Sequence, residues 1–410
     1  MILPKPGRRI ALLHPVLILS SVWLTVVALY SLHLSHLLQY STPEVLNVTC
    51  YILLPFITAA ILISTLHHVT VLAYPSGQAK VHVDFELLEW RLRTWFRIWM
   101  VVTTFEIAIS GGIPIIWLLR HSAKTYVDFG IPSLHGLVNS LLVSVAICRF
   151  TLYLLTGKRR HLAIPGFVLL WSIIVVTRQL MLSALLEYVI LFITLKTIRK
   201  GTAIRIILAA IFVILLFGFV GDLRSGAEAF RMLAEPTAQY PDWLPSGVLW
   251  FYIYIATPVN NLVYTMHSFH PVDSLLFPNT AATLFPTVLR GLIYGNQVGQ
   301  AESGNLVTQA FNVSTAYIGP YQDYGVAGII LFSVMTGLVC QFFWYRVSLR
   351  DRLIFAVLTQ CLVLTLFFDL FLALPVITQT IWLFYFFMPD LHLGRKIAIR
   401  RGEDTSRPSS

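Results

Sequence analysis

Four arginines, Arg178, Arg224, Arg231 and Arg290, stand in or beside long apolar stretches where charge is scarce. A guanidinium presents a planar fork of donors that matches the oxygens of a phosphate or carboxylate two at a time. It is also costly in a membrane: at the centre of a bilayer an arginine costs about 2.5–3.5 kcal/mol on insertion scales. Arg178, inside WSIIVVTRQLMLSALLEY (171–188), therefore lies away from the centre or serves something that offsets that cost. The ligand class such a set would fit is an anionic lipid headgroup, a diphosphate above all. Arginines near a bilayer also snorkel to its surface without further purpose. That account is weakest for Arg178, because a tight apolar turn needs no charge, and for Arg224 in GDLRSG (221–226), which closes an apolar run.

Proton-transfer candidates are few. Glu106 lies in TFEIAISGGIPIIW (104–117), and a carboxylate inside an apolar segment calls for a partner or a wet cavity. Gly111, Gly112 and Pro114 loosen the helix just beyond it. His135 in YVDFGIPSLHG (126–136) is placed to act as a general base or as a helix-end hydrogen-bonding residue. Asp323 sits in FNVSTAYIGPYQDYGVAG (311–328) beside Tyr317 and Tyr321, and Tyr252 lies in another aromatic run. Such tyrosines serve either as platforms for sugar rings or as the ordinary belt at a membrane surface. The expected catalytic set is His135, Glu106 and Asp323. The expected substrate-binding set is Arg178, Arg224, Arg231, Arg290, Tyr252, Tyr317 and Tyr321, with no metal and no cofactor.

The elements that must hold these residues are membrane helices. The 410 residues are 57% hydrophobic and 12% charged, with mean hydropathy +0.76, where soluble chains carry about 25% charge. Spans are expected near 12–32, 50–73, 98–119, 135–156, 206–222, 325–345, 353–372 and 375–391. The 34 residues from Leu162 to Leu195 would make one helix of about 51 Å at about 1.5 Å per residue. That is far beyond a hydrocarbon core of about 30 Å, so the stretch is expected to fold as a hairpin turning near Thr177–Gln179, giving ten spans.

Charge supports that count. With both termini inside, the inner loops collect most of the 29 basic residues, and the outer side keeps Arg120, Lys124, Arg178, Arg224, Arg231 and Arg290. One long helix at 162–195 would invert every later loop and spoil the bias. The net charge of +10 is thus accounted for by topology, not by a nucleic-acid partner. The expected organisation is spans one to seven over 1–222 with the 162–198 hairpin, a large outer loop over 223–324, spans eight to ten over 325–392, and a polar tail over 393–410. Within the loop, GVLWFYIYIATPVNNLVYTM (247–266) is apolar but interrupted by Pro258, Asn260 and Asn261. It is expected as a re-entrant or short interfacial helix, one further span being the alternative. Residues 83–100 suggest an amphipathic helix on the inner surface, leading into span three, with a solvated charged face. The first helix is expected to be retained, and Cys50, Cys148, Cys340 and Cys361 act as small apolar side chains.

Familiar cytoplasmic chemistry has no anchor here. The sequence holds no GxxxxGK[ST] phosphate loop, no HExxH, no GxSxG elbow and no DxD pair for a metal–nucleotide sugar. A donor already activated as a lipid diphosphate would fit.

The stretches EIAISGGIP (106–114), YVDFGIPSLHGLVNSL (126–141), TRQLMLSALL (177–186), GDLRSG, FYIYIATPVNNL (251–262) and TAYIGPYQDYGVAGIILFSVMTGL (315–338) together resemble the bacterial oligosaccharide repeat-unit polymerases, the O-antigen or Wzy-type polymerases. The resemblance implies an all-α polytopic protein of the bacterial inner membrane, GT-C-like, with a large periplasmic loop and an active site facing the periplasm. It implies a glycosyltransferase of surface-polysaccharide and lipopolysaccharide synthesis. Such an enzyme transfers a growing chain from undecaprenyl diphosphate to a new lipid-linked unit. The implied partners are the undecaprenyl-diphosphate-linked oligosaccharide, the bilayer, a chain-length regulator and a flippase, with no nucleic acid. An O-antigen ligase, or a transporter of lipid-linked sugars, is the alternative; carriers usually show inverted repeats and broken midplane helices, and neither is evident here.

Overall fold

A computed structural model describes residues 13–73, 84–196, 201, 204, 227–241, 244, 246–271, 277–295, 304–308 and 310–389. They fold as helices: α1 (Pro15–Tyr30), α2 (Thr42–Ala73), α3 (Phe85–Ser110), α4 (Pro114–Leu119), α5 (Leu134–Thr156), α6 (Ala163–Ile174), α7 (Arg178–Leu195), α8 (Ala227–Ala234), α9 (Ser246–Ser268), α10 (Thr287–Tyr294), α11 (Ile318–Trp344), α12 (Leu349–Leu364) and α13 (Leu374–Phe386). No strand forms among the described residues; one isolated bridge pairs Ser35 with Pro236. Five segments are long and apolar enough to cross a membrane: Thr42–Thr70, Phe85–Leu119, Leu134–Thr156, Arg178–Leu195 and Ile318–Trp344. The shorter α1 and α13 are apolar too. The chain is an all-α membrane protein. The span expected at 206–222 lies outside the described residues.

Local chemistry sets the breaks. Asp84 caps α3 by accepting from the backbone N–H groups of Glu86 and Leu87. The same helix ends on Gly111 in the left-handed region (φ 74°), and Pro114 opens α4. The 162–195 stretch does fold back: α6 stops at Ile174, α7 starts at Arg178, and Tyr188 Oη donates to the Pro165 carbonyl across the pair (3.4 Å). The turn is Val175–Thr177, slightly earlier than expected, with Val176 at φ +58°.

Packing centres on α2 against α11. Gly337 makes their approach possible, since a Cβ there would lie 2.8 Å from the Phe56 carbonyl oxygen and 3.1 Å from Ala59 Cβ. Around this seam α5 packs against α3, α6, α7 and α13, while α12 packs against α1, α7 and α11. As expected, the 83–100 stretch leads into the third span: residues 85–100 are the first part of α3, continuous with its apolar part. Its charged face is not wholly solvated: Arg91 is buried and donates to the carbonyls of Tyr385, Phe386 and Met388, capping the end of α13. Arg93 and Arg97 remain exposed.

The 223–324 region is more regular than a loop. The 246–268 segment is one unbroken helix, α9, with Pro258 inside it, packed against α1, α2 and α11. Its asparagines do not interrupt it because the neighbouring segments satisfy them. Asn260 Oδ1 accepts from Tyr30 Oη (2.7 Å) and from the Gln39 N–H, and its Nδ2 donates to the Leu37 carbonyl. Asn261 Nδ2 donates to the carbonyls of Phe311 and Val313, and its Oδ1 accepts from the Val307 N–H. The boundary expected at 325 is a kink inside α11: Tyr324 and Gly325 leave helical geometry, Gly325 at φ +58°. The turn before the kink carries Asp323.

Candidate active site cavity

The segments joining the helices at one end of the bundle enclose a cavity of about 160 Å³ lined by Pro278–Thr280, Ala282, Thr283, Arg290, Thr315, Ala316, Gly319, Pro320, Gln322, Phe368 and Asp369. Three stretches far apart in sequence meet there, and specific bonds hold each to the next. Asp323 accepts at Oδ1 from the N–H and Nδ2 of Asn279 (both 2.9 Å). At Oδ2 it accepts from the N–H (2.8 Å) and Oγ1 (2.5 Å) of Thr280. Thr283 Oγ1 donates to the Leu372 carbonyl (3.1 Å), and the Ala316 N–H donates to the Thr365 carbonyl (2.8 Å). Gly319 lets the 278–280 strip lie against α11, since a Cβ there would stand 2.7 Å from the Asn279 carbonyl oxygen.

The wall mixes polar and apolar groups and is built within an apolar bundle. Arg290 belongs to α10, and its Nε donates to the Phe285 carbonyl (3.1 Å). Asp369 lies in the non-helical segment between α12 and α13, where the sequence pattern had continued the span to 372. Its Oδ1 accepts from the N–H groups of Phe371 (2.8 Å) and Leu372 (3.3 Å). Its Oδ2 is buried with no hydrogen-bond partner among the described residues. Burial pushes the Asp369 carboxyl up to about 7, with the two backbone donors opposing that rise.

The expected catalytic residues divide between two places. Glu106 is fully buried and accepts from the Ile131 N–H (3.2 Å) and, at Oε2, from His135 Nδ1 (3.2 Å). With the proton on Nδ1, His135 Nε2 accepts from Asn139 Nδ2 (2.9 Å). The Ser110 hydroxyl accepts from the Gly130 N–H (2.9 Å) and Lys124 Nζ donates to the Ser110 carbonyl (2.8 Å). Glu106 and His135 thus fasten the 120–133 loop to α3, and neither lines the cavity. Asp323 lies behind the cavity wall; it is fully buried with four donors on its two oxygens, so its role is to shape the wall and it has no acceptor capacity left for a substrate proton.

Of the three expected arginines among the described residues, Arg290 alone lines this cavity. Arg178 is exposed in the first turn of α7 and Arg231 is half-buried on α8; Arg224 lies outside the described residues. The three tyrosines are buried, and none lines the cavity. Tyr252 Oη accepts from the Leu34 N–H, Tyr321 Oη donates to the Met266 carbonyl, and Tyr317 packs edge-on to Trp23 and Phe332. The lining residues that sequence reasoning missed are Asn279, Thr280, Thr283, Gln322 and Asp369. Asp369 left a trace, being the one charge in an otherwise apolar run (353–372). Among the described residues no three His, Cys, Asp or Glu are grouped to hold a metal ion.

No protein-family model, no curated protein and no solved structure matches this chain.

Proposed function

We propose that this protein is a glycosyltransferase of the repeat-unit polymerase kind, set in the bacterial inner membrane, which joins undecaprenyl-diphosphate-linked oligosaccharides on the periplasmic face. The observation that carries the reading is the cavity: one guanidinium, one buried carboxyl and a set of amides and hydroxyls facing a common space in an apolar helical bundle. Sugars and diphosphates are the ligands such a wall suits, since both are recognised by convergent hydrogen bonds.

The end of the bundle that holds the cavity also holds Arg120, Lys124 and Arg178. The opposite end holds Arg93, Arg97, Arg149, Lys158, Arg159, Arg160, Lys196, Arg346, Arg350 and Arg352. By the positive-inside rule the cavity end is periplasmic. In the proposed reaction a hydroxyl of the acceptor sugar attacks the anomeric carbon of the growing chain. The bond from that carbon to the diphosphate oxygen breaks, and the diphosphate leaves with the electron pair. Negative charge grows on the leaving group, and Arg290 is placed to stabilise it; a preorganised donor of this kind contributes about 10²–10³ in rate. Arg178 and Arg231 would serve the approach of the lipid headgroup on the same side, a role also expected of Arg224 from the sequence.

Complementation of a polymerase-deleted strain tests this. The wild-type gene should restore long chains, and Arg290→Ala, expressed at the wild-type level, should leave acceptors capped with a single unit. Full-length chains from Arg290→Ala would refute the assignment of Arg290. A deletion in the native host that removes even the single unit would point to a ligase instead.

A further inference from the structure

We propose that Asp369 Oδ2 receives the attacking hydroxyl of the acceptor sugar and takes its proton; the assignment rests on the glycosyl-transfer reading above. Three carboxylates and one histidine that the sequence and the cavity single out among the described residues compete for the role, and their bonding separates them. Asp323 carries four donors on two oxygens. Glu106 is closed in by His135 and the Ile131 N–H. The outward nitrogen of His135 is engaged by Asn139, four residues along its own helix. Asp369 differs on each count. Its Oδ1 is fixed by two backbone donors, which sets the plane of the carboxyl. Its Oδ2 is shielded and has no hydrogen-bond partner among the described residues, and the residue lines the cavity that Arg290 also lines. A buried acceptor oxygen with nothing on it is destabilising in a resting protein. A ligand hydroxyl donating to it would recover that cost, and the same contact is the one along which a proton moves.

The step balances. The O–H bond of the acceptor breaks as its oxygen bonds the anomeric carbon; the proton passes to Oδ2, and the pair from the broken carbon–oxygen bond departs on the diphosphate beside Arg290. Burial holds the Asp369 carboxyl at about 7, near the value that serves a general base at neutral pH. The charged and titratable groups around it are Arg290 in the same cavity, Asp323 behind the 279–280 wall, and Tyr317 and Cys361, both electrostatically coupled to it.

The experiment uses the full chain in lipid nanodiscs, with undecaprenyl diphosphate as a binding probe and undecaprenyl-diphosphate-linked repeat units from polymerase-deleted cells as substrate. Asp369→Asn should bind undecaprenyl diphosphate within about twofold of wild type and extend chains about 10²–10⁴-fold more slowly. The wild-type rate should rise with pH through about 7, and the residual rate of Asp369→Asn should lose that rise. Asp369→Glu should recover part of the activity. An Asp369→Asn protein that extends chains at close to the wild-type rate overturns the assignment while leaving the glycosyltransferase reading in place. Loss of undecaprenyl diphosphate binding together with extension also overturns it, by showing a structural role. A wild-type protein that neither binds the carrier nor extends chains overturns the glycosyltransferase reading itself, and this assignment with it.

Discussion

Asp323 and Asp369 are both aspartates in apolar surroundings, and the number of donors each receives gives them different chemistry. Four donors occupy both oxygens of Asp323. Asp369 has two donors on one oxygen, and burial raises it to about 7 from an ordinary 3.8. An acid whose folded value stands above its unfolded value keeps a proton in the folded state that the unfolded chain gives up. Folding stability contributed by that proton is full below about 4 and is lost as pH rises through about 7, at about 1.4 kcal/mol per pH unit. Asn at 369 keeps an oxygen for the Phe371 and Leu372 N–H groups but cannot ionise. The Asp369→Asn protein should therefore melt near the wild-type temperature below pH 4, somewhat above it at pH 5 and several degrees above it at pH 8. Melting curves that keep the same separation at every pH would show that the wild-type carboxyl does not ionise at a cost. Gly319 offers a second reading of the same wall: Gly319→Ala sets a methyl against the Asn279 carbonyl. It should lower the melting temperature by an amount typical of core overpacking, about 1–3 kcal/mol.

Among the elements, α7 shows what hydropathy leaves out. It was legible as half of a hairpin because length and charge bias both forbade one long helix over 162–195. Its partner on the far side was not legible, since apolar helices carry no register mark for their neighbours. That contact is Glu187, fully buried, whose Oε1 and Oε2 both accept from Gln379 Nε2 of α13 (2.9 and 3.1 Å). The 353–372 run shows the same limit. Hydropathy detects that a segment is apolar, not that α12 unwinds after Leu364, so Asp369 was hidden inside an expected span. The α11 kink at Tyr324–Gly325 was half legible: the expected boundary falls on it, but as the end of a loop and not as a break within one helix. Removing one partner of a buried hydrogen-bonded pair leaves the other with its desolvation cost unmet, about 1–3 kcal/mol. Gln379→Leu should thus destabilise strongly, and adding Glu187→Leu should recover much of the loss. A double-mutant cycle by thermal melting in detergent measures this; additive losses would show that α7 and α13 are not joined through these two side chains.

For the molecule as a whole, the distribution of positive charge and the hairpin support each other. If α6 and α7 were one helix, Lys158–Arg160 and Lys196 would lie on opposite faces of the membrane. With the turn at Val175–Thr177 they share one end of the bundle, together with Arg93, Arg346 and Arg350. Among the described residues the cavity end then has few cations, and of the expected arginines described there Arg290 is the one that lines the cavity. Topology is therefore the point on which the reading of the site turns, and it can be measured without any assumption about substrate. Cys148, Cys340 and Cys361 are buried and Cys50 is partly so, which gives a low background for thiol labelling. Arg178 and Lys158 are both exposed, one at the hairpin turn and one before α6. In intact spheroplasts a membrane-impermeant maleimide should label Arg178→Cys and leave Lys158→Cys unlabelled until the membrane is opened. Labelling of both positions from the same side would dissolve the hairpin as a membrane element. It would also remove the ground for a periplasmic cavity, whatever reaction the cavity supports.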